Sequence, residues 1–255
     1  MTINFFGCSF TEGGGLDNLE YYNMKTNSKL KDYSTSNSKI LCEYKEKNRY
    51  STIIGQLLNC EIKNYAFGCN SNENIINKLY EIAKSGNINK DDIFIVQTTI
   101  FSRKHFWYEA TNEFYSINAL DFTGWPYQEK KIMKPLNELY NLYYQYSYNE
   151  EYEIKKLLME IEFINSWFKN MGIKLYWLPW AELDISTNWD ILKEKNKKLK
   201  NQNFIFFDGM ALGSFIDKSE FKICDEFKGL TDKHKSTEGH RFVAQKIVEY
   251  LKNKI

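Results

Sequence analysis

The sequence predicts an α/β fold: a mostly parallel sheet with helices packed on both faces. Three observations carry this. Short apolar runs of strand type alternate with helical stripes from end to end of the chain. The run Ile93 to Val96 is continuous and rich in β-branched residues, as a strand covered on both faces requires. The 255 residues can bury a full core without disulfides or metals as staples.

The elements follow in order. Ile3 to Phe6 is a short apolar run that reads as a buried first strand. Tyr50, Ile53, Ile54, Leu57 and Leu58 repeat at i, i+3, i+4, i+7 and i+8, one face of a helix. Ile62 to Ala66 makes a second strand, and Ile75, Ile76, Leu79, Ile82 and Ala83 mark a second amphipathic helix. After the third strand at Ile93 to Val96 comes a long helix through Ile154, Leu157, Leu158, Ile161, Ile164 and Phe168, which Gly172 can end. Lys174 to Leu178 and Phe204 to Phe207 are the fourth and fifth strands. Val243, Ile247, Tyr250 and Leu251 line the last helix. No repeat, linker or low-complexity tract interrupts the chain, so residues 1–255 read as a single domain. Two stretches break the rhythm. Leu16 to Asn48 is polar, and an irregular aromatic insertion occupies about 100–135 (Phe101 to Lys134). Segments that long are commonly lids or binding loops; the second can equally be packed irregular structure or short extra helices.

Composition excludes several classes. Thirty-four basic residues face 33 acidic ones, a net charge of +1, which disfavours binding to nucleic acid through many phosphates. Eighteen tyrosines, 18 phenylalanines and six tryptophans disfavour a disordered chain. No run approaches the ~18 apolar residues that span a bilayer, and Met1 to Phe10 lacks the basic and apolar regions of a signal peptide. No membrane partner is expected. The five cysteines are odd in number and form no CxxC pair, so no zinc site or disulfide framework is indicated, and a cytoplasmic location is expected.

In open parallel sheets, ligands bind beyond the carboxyl ends of the strands. There the sequence offers Gly7-Cys8-Ser9-Phe10-Thr11-Glu12-Gly13, then Gly68-Cys69-Asn70-Ser71-Asn72, then Gln97-Thr98-Thr99 with Arg103, then Pro179-Trp180, and before the last helix Asp232-Lys233-His234. Ser9 is a hydroxyl on a tight strand-to-helix turn, where its own N–H can face a developing oxyanion. A serine is a weak nucleophile until a base takes its proton. The histidines are His105, His234 and His240; His234 has Asp232 beside it, a carboxylate that can orient the imidazole. Cys8 is the other nucleophile the segment offers. Gly13-Gly14-Gly15 can cradle a phosphate, but no Gly-Lys-Ser/Thr follows, and a turn is the simpler reading.

Gly7-Cys8-Ser9-Phe10-Thr11 resembles the first block of the SGNH (GDSL-type) hydrolases, in which Gly-Asp-Ser-Leu/Phe-Thr sits near the N-terminus. His234-Lys-Ser-Thr-Glu-Gly-His240 is similar to their last block, and Gly68 matches the oxyanion glycine of the second. The resemblance implies a three-layer α/β/α, flavodoxin-like fold with a five-stranded parallel sheet. It implies a triad of Ser9, His234 and Asp232, with oxyanion donors from Ser9, Gly68 and Thr99. The chain departs from the family at three places. Cys8 replaces the acid before the serine, Thr99 stands where the third block has Asn, and Asp232 precedes His234 by two residues rather than three, leaving Asp208 and Asp225 as other acids. Asn70, Asn72 and Gln97 are alternative oxyanion donors.

The expected function is a serine esterase that hydrolyses a small ester, an O-acetyl group on a carbohydrate, with no cofactor and no metal. Asn72, Arg103 and Trp180 are the expected substrate contacts, Arg103 for an anionic group. The aromatic pair Trp177 and Trp180 and the residues Trp107, Tyr108, Trp125 and Tyr127 can stack on sugar rings or fill the core. Two other functions remain: an O-acyltransferase using the same triad, and a non-catalytic module that grips a glycan or a partner. His240 reads as a cap or packing residue, and His105 as a surface or lid residue.

Overall fold

The computed structural model describes residues 1–68, 70–86, 88–108, 113–117, 138–139, 141–181, 203–218 and 236–254. Its elements are β1 (Thr2–Phe6), α1 (Ser9–Glu12), α2 (Leu19–Thr26), α3 (Thr35–Asn48), α4 (Tyr50–Leu58), β2 (Glu61–Asn64), α5 (Asn72–Lys84), β3 (Ile93–Gln97), β4 (Lys104–Tyr108), β5 (Glu113–Ile117), α6 (Glu150–Met171), β6 (Lys174–Leu178), α7 (Leu212–Lys218) and α8 (Thr237–Lys252). No helix among the described residues is long and apolar enough to cross a membrane.

Period-two alternation gives the sheet two apolar faces, and each is covered by helices. Ile3, Phe5, Ile93, Ile95, Tyr176 and Leu178 pack with Tyr50 and Ile54 of α4 and with Val243, Ile247 and Leu251 of α8. Phe6, Phe94, Val96, Leu175 and Trp177 pack with Ile75 and Leu79 of α5 and with Leu157, Ile161 and Phe168 of α6. Each such buried side chain contributes roughly 1.5–3 kcal/mol. The result is three layers, as expected. The strands run parallel in the order β2-β1-β3-β6. Helix α6 ends at Gly172, whose φ of 71° lies in the left-handed region that glycine adopts without strain.

The expected fifth strand is shorter than the apolar run suggests. Phe204 makes a single parallel bridge to Trp177, with Trp177 N–H donating to Asn203 (3.0 Å) and Ile205 N–H to Trp177 (2.8 Å). Phe207 then pairs back onto Met210 around Asp208 and Gly209, both at positive φ (51° and 81°), and this reversal takes the backbone off the sheet. With Phe204 in fifth place the order is that of a flavodoxin-like sheet, whose direction of winding switches between β1 and β3.

Both stretches that broke the rhythm contain regular structure. Residues 16–48 hold α2 and α3 rather than one long loop. Their helices bury little, chiefly Tyr21 and Leu41, so their apolar stripe is thin. The aromatic stretch contains an antiparallel pair, β4 with β5. Trp125 and Tyr127 lie outside the described residues.

Helix α2 holds the start of α8. The Tyr21 hydroxyl accepts from Thr237 N–H (2.7 Å) and donates to Thr237 Oγ1 (3.2 Å), and Lys25 pairs with Glu238 at 2.9 Å. Burial pushes the Glu238 carboxyl up, but the Lys25 ammonium, the backbone and the Thr237 hydroxyl outweigh it and bring it down to about 2. A depressed carboxylate stabilises the fold above its ordinary value of 4.5, and that stability is lost as pH falls towards 2. The Glu238 side chain is half-exposed, so solvent screens the effect. Glu238→Gln is expected to lower Tm at pH 6 but not at pH 2. Equal shifts at both pH values in thermal melts contradict the ion pair.

Candidate active site

Strand β1 delivers the chain to the switch point, and Gly7 turns it. A Cβ on Gly7 meets Thr11 Oγ1 at 2.3 Å, Thr11 Cβ at 2.9 Å and Gln97 Cβ at 3.1 Å, so no side chain fits. Cys8 caps α1 with extended backbone, and Ser9 is its first residue. The first N–H groups of a helix have no acceptor within it. The helix closes after one turn, where Gly13 at φ 93° and Gly14 N–H return to the Ser9 carbonyl, the latter at 2.6 Å. The three glycines thus form the turn that ends α1. Ser9 is partly exposed, whereas Cys8 beside it is 4% exposed.

A neutral network lies behind the turn. Thr11 Oγ1 donates to Gln97 Oε1, so the Tyr50 hydroxyl, 2.8 Å away, donates to Thr11. Gln97 Nε2 in turn donates to Cys8 Sγ at 3.3 Å. Burial raises the Tyr50 phenol far above its usual range, against a smaller opposing effect of the Thr11 bond, so Tyr50 stays a donor. Cys8 and Gln97 therefore build the floor of the turn, with the thiol facing a buried amide.

The second and third segments are bonded to the first and to each other. Phe67 N–H (3.3 Å) and Asn70 Nδ2 (3.2 Å) both donate to the Gly7 carbonyl. Asn74 Nδ2 donates to Asn70 Oδ1 at 2.5 Å. Gly68 lies against the Glu12 carboxylate, whose Oε2 is 3.0 Å from where a Cβ on Gly68 would stand. Ser71 caps α5, and Asn72 opens it. Asn72 Oδ1 accepts from Thr99 N–H at 2.7 Å, and its Nδ2 donates to the Thr99 carbonyl at 3.2 Å, which locks the end of β3 to the start of α5. Thr99 is buried, and its Oγ1 accepts from Arg103 Nη1 at 2.9 Å. Among the described residues Arg103 Nε has no hydrogen-bond partner. The neighbouring carboxylates are engaged by lysines: Lys104 bridges Glu73 (2.9 Å) and Glu153 (2.6 Å), and Lys156 reaches Glu73 at 3.0 Å. Burial raises the Glu73 carboxyl, and Lys104 and Lys156 outweigh it and hold it below its ordinary range.

The structure therefore gathers Ser9, Gly68, Asn72, Thr99 and Arg103 through direct bonds among their segments. Trp180 adjoins them: its N–H donates to Thr98 Oγ1 (3.4 Å) and its ring lies 5.3 Å from Phe10. Of the two readings open for Trp177, the structure takes the core. It is fully buried and donates to Asn165 at 2.8 Å, because alternation along β6 points it into the core rather than at the sheet edge. His234, Asp232 and Asp225 lie outside the described residues, and Asp208 is exposed in the turn after Phe207. The side chains of His105, Trp107 and Tyr108 likewise lie outside them. Ser236, two residues after His234, caps α8 by accepting from Gly239 N–H at 3.2 Å. His240 is fully buried in the first turns of α8, stacked on Phe10 at 4.7 Å, and its Nδ1 accepts from Tyr50 N–H at 3.2 Å. It is the packing residue expected, and it ties the start of α8 to the helix that carries Ser9. Two residues that sequence reasoning did not single out also stand at these segments: Glu12, against Gly68, and Phe67, bonded through its backbone to Gly7. Phe67 is 64% exposed next to Gly68, a placement with no periodic signature.

No protein-family model matches the chain, and no curated protein sequence matches it. Among solved structures it is similar to a lipolytic protein of the G-D-S-L family from Desulfitobacterium hafniense DCB-2, at 10% identity over 97% of this chain and 98% of that one, with a TM-score of 0.46. It is also similar to an acetyl xylan esterase from the rumen bacterium Butyrivibrio proteoclasticus (13% identity, TM-score 0.47). A family two carbohydrate esterase from Clostridium thermocellum, solved with cellohexaose, is a further similar structure (13% identity, TM-score 0.44). The alignments to these two esterases cover 99% of this chain and only 64% of each of theirs.

Proposed function

We propose that this chain is a serine esterase of the SGNH type that hydrolyses a small ester, an O-acetyl group on a carbohydrate. The observation that carries this reading is the position of Ser9. It stands at the carboxyl end of β1, at the β1/β3 switch point, with the Gly68 turn and the Thr99 segment bonded around it. In the proposed reaction Ser9 Oγ attacks the acyl carbon while His234 takes its proton, and Asp232 stabilises the imidazolium. The N–H groups of Ser9 and Gly68 hold the oxyanion. Arg103 donates into Thr99 Oγ1, which leaves the Thr99 hydrogen as the third donor in place of an Asn amide. His234 returns the proton to the leaving alcohol, and water then releases the acid by the same path. Arg103 and Trp180 border the site as substrate contacts, whereas Asn72 acts as a positioning residue through Thr99. We place the protein in the cytosol on its cysteine pattern, five in number with no CxxC pair.

A fluorophosphonate probe tests the reading: mass spectrometry is expected to find the adduct on Ser9. An unlabelled Ser9 in folded protein rules the nucleophile out. Asn72→Ala is expected to lower kcat about 10- to 100-fold with little change in KM, because it loosens Thr99 without removing a contact to substrate. A change confined to KM in steady-state kinetics assigns Asn72 to substrate binding instead.

A further inference from the structure

We infer that Gln97 is a positioning residue for the proposed nucleophile: one buried amide at the end of β3 grips α1 on both sides of Ser9 and sets where its hydroxyl stands. The inference rests on the esterase reading and deepens it by assigning what holds Ser9 in place.

Helix α1 is a single turn, Ser9–Glu12. A helix that short is not stable by itself, so tertiary bonds must place it. Gln97 closes β3 and is fully buried. Its Nε2 donates at 3.3 Å to Sγ of Cys8, the residue before Ser9. Its Oε1 accepts from Oγ1 of Thr11, two residues after Ser9. The Cys8 side chain makes no capping bond to α1, although Cys8 stands at its N-cap; the thiol turns to Gln97 instead. Thr11 has one hydroxyl hydrogen and gives it to Gln97, while the Tyr50 hydroxyl donates to Thr11 from 2.8 Å.

The other bonds to this turn act on one side only. Asn64 Nδ2 donates to the Thr11 carbonyl at 2.9 Å, and the Phe10 ring stacks on Tyr50 and His240, all after Ser9. Phe67 and Asn70 reach the Gly7 carbonyl, two residues before it. Among these residues Gln97 is the one bonded on both sides of Ser9. Fully buried and directed at the thiol, it acts through Cys8 and Thr11 rather than by touching substrate. Without the amide the turn is free to shift, and a misplacement near 1 Å can cost about 10²-fold in rate.

Gln97→Met tests this, since it nearly conserves volume and removes the amide. With 4-nitrophenyl acetate, kcat is expected to fall about 30-fold with KM within about twofold of the wild type, and fluorophosphonate labelling of Ser9 to slow in parallel. Glu12 and Gly13 N–H bond to the Cys8 and Ser9 carbonyls at 3.0 and 2.9 Å. Their hydrogen exchange is expected to quicken about tenfold in the variant, with exchange in β1 unchanged. A folded Gln97→Met with wild-type kcat and labelling overturns the inference. Quicker exchange in the variant of a protein whose wild type hydrolyses no ester and takes no label overturns the esterase reading and leaves Gln97 as the anchor of α1. Cys8→Ala and Cys8→Ser give the same test if Gln97→Met does not fold. The first removes the acceptor of the Gln97 amide and is expected to lower kcat about tenfold, and the second supplies an oxygen acceptor and is expected to restore most of the rate. Equal rates in these two variants overturn the inference.

Discussion

Replacing Ser9 by alanine is expected, on the proposed mechanism, to lower kcat for ester hydrolysis by about 10⁴-fold or more, the scale on which serine hydrolases respond to loss of the nucleophile. The argument is positional. Ser9 is the partly exposed hydroxyl at the mouth of the β1/β3 switch point, while the thiol before it is buried against Gln97. Removing one oxygen from a partly exposed residue leaves the fold within about 0.5 kcal/mol of the wild type. Circular dichroism and thermal melts are therefore expected to coincide for the two proteins while turnover differs. Hydrolysis that persists in Ser9→Ala with an unchanged pH profile sinks the mechanism, and persistence abolished by Cys8→Ala transfers the role to the thiol.

Gly7→Ala has the second largest expected effect, and it acts through packing. The new methyl meets Thr11 Oγ1, the atom that links Tyr50 to Gln97. The neighbours are backbone-proximal atoms in a buried corner, so relief requires the β1–α1 turn itself to move. Overpacking of this kind costs about 1–3 kcal/mol. A shift of the turn also displaces Ser9, and a displacement near 1 Å can cost about 10²-fold in rate. Urea titration gives the first quantity and kcat the second. A variant with wild-type values of both shows that Thr11 and Gln97 give way, and that the turn is not held by this contact.

Much of the frame was legible because burial is written as periodicity. Helix α4 begins and ends where the Tyr50-to-Leu58 stripe does, and β1, β3 and β6 coincide with the apolar runs to within a residue. Helices α2 and α3 were not legible, because they bury so little that their stripe is nearly absent. Phe204 to Phe207 looks like a full strand because its composition is apolar, but the left-handed Asp208 and Gly209 decide where pairing stops. The site divides in the same way. That the Ser9, Gly68 and Thr99 segments share one edge was legible from their places after successive strands, since a parallel sheet brings those ends together. Pairs such as Gln97 with Cys8 join residues 89 apart in sequence, and Glu12 meets Gly68 only through the turn at Gly7. No local pattern encodes such meetings. Trp177 shows the converse: a residue near a strand end fits either the site or the core by composition, and the pleat directs it to the core.

Strand β2 has a bearing on how the protein behaves at high concentration. It lies at the outer side of the sheet, it is only four residues long, and Glu61 and Lys63 are its exposed positions. An uncovered strand is a template onto which a strand of another molecule can add. Here any incoming strand meets a charge of each sign within three residues and has little length to pair with. On the far side, the Phe204 backbone makes one bridge before turning away. The sheet thus resists lateral growth at β2 by charge and brevity and beyond β6 by an early reversal, so a chain rich in aromatic and β-branched residues is guarded against stacking into fibres through its own hydrogen-bonding edges.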